Sequence, residues 1–201
     1  MIRWTPHRAE WLLYGWLKQF LQYDHPFPIP VRTLGEEVIK EARTNPRGMV
    51  TVSVHLPLGI FIVRSLMELD CTPDAVIAAG HSLKHGMFPI WGKVTALQGL
   101  TPDGNVLVKA RSILRRGGSI GAMIDHDLGA PINANLLHLL GSIGGRLVFA
   151  LAELQPSGEL LVQFYDPPDP FCRCREGISK NLEFIQQKVD DILRRSLQPM
   201  S

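Results

Sequence analysis

The chain predicts an α/β fold: a single domain over residues 1–201 with a mixed, mostly parallel central sheet flanked by helices. Three observations predict it. Residues 49–54, MVTVSV, alternate β-branched and small polar positions with the period of a strand, and an apolar helical run follows at once. Residues 119–124, SIGAMI, repeat the pattern: a buried strand that delivers ionisable residues at its carboxyl end. Strand and helix patterns alternate through the middle of the chain, which calls for crossover connections and parallel pairing. At 201 residues the chain can bury one sizeable core without needing a second.

Taken in order, Thr5 and Pro6 look like the cap and first residue of a helix reaching about Tyr23. Trp11, Tyr14, Trp16 and Phe20, with Leu12, Leu13, Leu17 and Leu21, make it apolar nearly all round. Such a helix packs on the core or lies against something apolar, a membrane surface or an acyl chain. The segment HPFPIP is a proline-fixed connector. Thr33 and Glu36 have the spacing of a capping box and open a second helix to Arg43. These parts form an N-terminal helical segment, residues 1–45, expected to pack on an α/β core of residues 49–168.

That core starts with the strand ending at His55. Pro57 stops the strand, and the run from Leu58 to Leu69 reads as a helix. Residues 75–79 form the next strand, giving a βαβ unit with neighbouring parallel strands. Residues 80–99 hold several glycines and a proline with no clean period, and a long loop in a compact domain is more often functional than idle. It is the candidate substrate-facing lid, and it carries His81, His85, Trp91 and Lys93. A helix opening near Pro102 buries Val106, Leu107, Ala110, Ile113 and Leu114, shows Lys109, Arg111, Arg115 and Arg116 on its other face, and stops at Gly117 and Gly118. The arginines are a solvated helix end or a phosphate contact. After the strand of residues 119–124 come Asp125, His126, Asp127, Leu128 and Gly129. A short helix follows Asn133, residues 146–154 and 159–165 form a hairpin joined at Gln155–Gly158, and residues 178–197 form an amphipathic last helix.

Composition narrows the function. Hydrophobic residues make up 45% and charged residues 20%, which describes a folded protein and argues against disorder. The formal charge of +2 comes with no basic block, so nucleic acid is not an expected partner. No apolar run approaches the roughly 18 to 20 residues needed to span a bilayer, and the opening residues lack the apolar core of a signal peptide. The expected location is the cytoplasm, with peripheral membrane contact open to the first helix. Cys71, Cys172 and Cys174 read as structural thiols, and no metal site is expected because nothing places the His81 and His85 pair near the cysteines. Dinucleotide and phosphate-loop motifs are absent.

What remains is a strand-end His55 and a strand-end Asp125-His126-Asp127. In open α/β sheets ligands bind at the carboxyl ends of strands, so His55 is the lead catalytic residue. A histidine there suits general-base activation of a hydroxyl or amine.

The order of a strand ending in His55, helix, strand, loop, helix ending Arg115-Arg116-Gly117-Gly118, and strand ending Asp125-His126-Asp127-Leu128-Gly129 resembles the lysophospholipid acyltransferase superfamily. The bacterial lipid A late-acyltransferase branch is the nearest in layout, and the resemblance covers about residues 49–168. It implies a histidine base with a carboxylate partner five residues on, and an Asp-rich turn beside the site, matched here by Asp125 and Gly129. It also implies an acyl carrier protein or coenzyme A thioester as donor, with no bound cofactor. The resemblance therefore implies acyl transfer to a hydroxyl or amine acceptor, in lipid or specialised-metabolite biosynthesis; an inactive acyl-chain or carrier-binding module is the alternative. His55, Asp125 and Asp127 are the catalytic candidates. His81, His85, Trp91, Lys93, Arg115, Arg116, His126 and Gly129 are the candidates for substrate contact. This sequence departs from the pattern at Ile60, where the acidic partner belongs; Asp125 or Asp127 could substitute if the two strand ends are adjacent, and otherwise the site is inactive or does different chemistry.

Overall fold

The computed structural model describes residues 8–21, 27–77, 98–100, 105–125, 131–171 and 174–196. Seven strands form one sheet: β1 (Val31–Leu34), β2 (Met49–Ser53), β3 (Ala75–Ile77), β4 (Gln98–Leu100), β5 (Ser119–Met123), β6 (Arg146–Leu154) and β7 (Leu160–Tyr165). Their order is β1-β7-β6-β2-β5-β3-β4. Every pairing is parallel except the hairpin β6–β7, so β7 and its parallel neighbour β1 run against the other five strands.

The register sorts side chains into two faces. Val50, Ile120, Ala75 and Leu147 stand level across four adjacent strands, and Val52, Ala122, Ile77 and Phe149 stand level two residues on. These residues point to one side, because side chains alternate along a strand. They meet the buried faces of α4 (Val106–Arg115), α5 (Ala134–Ile143) and α6 (Arg175–Ser196), among them Ala110, Leu114, Leu137, Leu140, Ile185 and Ile192. Met49, Val148 and Ala150 point the other way. They meet α1 (Arg8–Leu17), α2 (Glu36–Arg43) and α3 (Ile62–Glu68) through Leu17, Ile39, Ala42, Ile62 and Leu66. The result is a helix–sheet–helix sandwich whose central strands are buried on both faces, which is why β2 reads as buried throughout. Among the described residues, no helix is long and apolar enough to cross a membrane.

Several local expectations are corrected. Thr33 does not cap α2. It lies in β1, its hydroxyl donates to Ser65 Oγ at 3.4 Å, and the helix starts beyond Gly35 with no side-chain cap. Gly35 makes this turn at φ 75°, where a side chain would be strained and its Cβ would run into the Phe164 carbonyl. The segment after Leu56 begins as a 3-10 turn, Gly59–Phe61, before α3. The strands of the βαβ unit, β2 and β3, are parallel but not neighbours, because β5 inserts between them. In the first helix α1 gives way at Lys18 to a 3-10 turn, Lys18–Leu21, and the Thr5–Pro6 start lies outside the described residues. The hairpin follows the sequence reading, with Leu154 level with Leu160.

Candidate active site

The site follows from register. Met49 through Ser53 pair one to one with Ser119 through Met123, an offset that stays constant along the two strands. The amide of Ile124 extends the ladder by donating to the Ser53 carbonyl at 2.9 Å. Two residues past the ends of these adjacent central strands, the same offset sets His55 opposite Asp125. The chain then leaves the sheet: Leu56 N–H turns back to the Val54 carbonyl at 2.8 Å, and Pro57 has no amide with which to continue a ladder. On the other strand Asn133 N–H donates to the Ile124 carbonyl at 2.7 Å, which starts α5 beside the same spot. The Asn133 side chain caps that helix by accepting from the amides of Asn135 and Leu136.

Asp125 is held by His55 three times over. The His55 amide donates to Oδ1 at 3.0 Å and to Oδ2 at 2.9 Å, and the imidazole Nδ1 lies 2.8 Å from Oδ1. The carboxylate side chain is only 4% exposed, whereas the imidazole is 40% exposed. That asymmetry decides the roles. A carboxylate accepts hydrogen bonds, so Nδ1 carries the hydrogen and the lone pair falls on Nε2. The buried carboxylate fixes tautomer and ring orientation, while part of the imidazole stays open to solvent.

Ile60, five residues after His55, is half-buried and packs into the core on the α1–α3 side of the sheet. Ile60 brings no carboxylate to His55, whereas Asp125, at the end of the neighbouring strand, does. Arg115 and Arg116 are not brought to the dyad. They end α4, which leads into the amino end of β5, and five residues of strand rise roughly 16 Å between that end and the site. Asp127, His81, His85, Trp91, Lys93, His126 and Gly129 lie outside the described residues. Cys71 is buried, and burial pushes its thiol above the ordinary range. Among the described residues, no three His, Cys, Asp or Glu side chains converge in a way that could hold a metal ion. The sequence reading missed the clamp from the His55 main-chain amide, for which side-chain types carry no signal.

A scan against protein-family models finds no match, and no curated protein matches the chain.

Proposed function

We propose that this protein transfers an acyl group from a thioester donor to a hydroxyl or amine acceptor, with His55 as general base and Asp125 as its positioning partner. The observation that carries the reading is the hydrogen-bonded pair itself. A half-exposed imidazole is held by a buried carboxylate at 2.8 Å, at the carboxyl ends of two central parallel strands. His55 Nε2 takes the proton of the acceptor as its oxygen or nitrogen attacks the thioester carbonyl. The tetrahedral intermediate collapses by breaking the carbon–sulfur bond, and the imidazolium returns its proton to the departing thiolate. The products are the acylated acceptor and a free thiol. Asp125 stabilises the imidazolium and holds the tautomer that leaves the lone pair on Nε2. The donor class, an acyl carrier protein or coenzyme A thioester, belongs to the same proposal, as does a cytoplasmic place of action with peripheral membrane contact.

Incubating the protein with acyl thioesters and a panel of alcohol and amine acceptors tests this, with release of free thiol as the signal. Acceptor-dependent thiol release that falls by about 10³-fold in His55→Ala is expected. Full turnover in His55→Ala would remove the assigned role. Saturable acyl-chain binding without turnover would replace the enzyme by a binding protein.

A further inference from the structure

The outer face of α4 is one-sided in charge. Val108, Arg111, Ser112 and Arg115 recur at the three- and four-residue spacing that forms a single helical stripe, with Lys109 and Arg116 beside it, and all six are exposed. Val108 is 69% exposed, one of three exposed large apolar residues among the described residues. The opposite side of the helix is spent on the core through Ala110, Ile113 and Leu114. From Asn105 to Ile124 the sequence has no Asp or Glu, and α5, packed beside α4, has none either. Among the described residues no acid pairs with Arg111, Arg115 or Arg116, whereas α6 balances its cations internally through Lys180–Glu176 and Arg194–Asp191. Among the described residues, the stripe of Arg111 and Arg115 is therefore positively charged with no acid on its own helix or on α5.

We infer that this ridge docks an acidic protein, the carrier that brings the thioester, a partner assignment that rests on the acyl-transfer reading above. The composition fits a protein interface: arginine is enriched in such contacts, and an apolar anchor among charged residues is their usual anatomy. Position fits as well. The helix runs antiparallel to β5, so its Val108–Lys109 end lies toward the strand ends that carry His55 and Asp125, and its Arg115–Arg116 end lies away. A bilayer fits worse. Leu12 and Trp16, the other exposed large apolar residues, belong to α1 in the opposite helical layer, so a membrane that covers them cannot reach α4. A helix of ten residues is also only about 15 Å long, a short track for a nucleic-acid backbone.

The test titrates fluorescently labelled apo acyl carrier protein, an acidic protein without an acyl group, into the wild type and into an Arg111→Glu, Arg115→Glu double variant whose folding is checked by circular dichroism. Saturable wild-type binding that weakens as salt rises, and that is at least about tenfold weaker in the double variant, is expected. Val108→Ser, which changes no charge, should weaken binding less. Equal affinity of wild type and double variant, no binding by the wild type at low salt, or tighter capture of anionic vesicles or duplex DNA through the same arginines would overturn the assignment. Binding is read apart from turnover, so the two proposals separate. Docking without transfer sinks the acyl-transfer reading and leaves the ridge standing, while transfer from small thioesters without docking sinks only the ridge.

Discussion

Asp125 and Glu153 are both buried carboxylates at the same end of the sheet, one two residues past β5 and the other within β6, with side chains 4% and 8% exposed. Burial is nearly equal, and their partners differ. Glu153 receives a two-pronged contact from Arg195, with Nε at 3.1 Å and Nη2 at 3.0 Å, and a guanidinium does not give up its charge. That pair pins the last turn of α6 to the sheet and has no chemistry to offer. Asp125 receives an imidazole and an amide from one residue, and the imidazole can gain and lose a proton. On the acyl-transfer reading proposed above, the acid whose partner can change protonation state serves chemistry, and the acid whose partner cannot is a structural clamp.

The comparison is broken most strongly at Asp125. Asp125→Asn keeps the shape and an acceptor for the His55 amide but no longer enforces the Nδ1–H tautomer. Turnover should fall by about 10² to 10⁴-fold with little change in KM. A variant that retains full turnover would make Asp125 as structural as Glu153.

On the other side, Arg195→Met strands Glu153 without touching the dyad. Stability should drop by about 1–3 kcal/mol, less than for a wholly buried pair because Arg195 is half exposed. The drop should appear in denaturant midpoints, with any acyl-transfer turnover of the remaining folded protein unaltered.

The smallest effect concerns Tyr165, whose hydroxyl is pushed up to about 12, first by burial and then by the negative charge of Glu153. The folded state thus holds this proton more tightly than the unfolded chain, where the ordinary value is 10.0. The resulting stabilisation is complete below about pH 10 and is lost as pH rises through about 12. Denaturation curves across that window should lose part of their pH dependence in Tyr165→Phe. An unchanged alkaline slope would show that the tyrosine is not the group responsible.

How much was legible follows from these same residues. The strands that carry His55 and Asp125 were readable because each is buried on both faces and announces itself by β-branched or small apolar runs. That the two ends face each other was only a condition in the sequence, since the pairing of residue 55 with residue 125 is a tertiary choice of register. The insertion of β5 between β2 and β3 made it real. β1 was missed for a local reason. Thr33 and Glu36 have capping-box spacing, but pairing with β7 took Thr33 into a strand and left Gly35 to turn the chain. β4 was missed because three residues are too few to show a period. The first helix turned out two-sided: Leu17 is fully buried, while Leu12 and Trp16 face outward.

The dyad is tested most directly by a double-mutant cycle on kcat/KM for thioester-dependent acyl transfer, using His55→Ala, Asp125→Ala and the combined variant. If Asp125 acts only through His55, the combined variant is no slower than His55→Ala alone, and the coupling is nearly the whole effect of the Asp125 substitution. Losses that simply multiply would mean that the two residues act independently, and the buried carboxylate would not be the partner of the base.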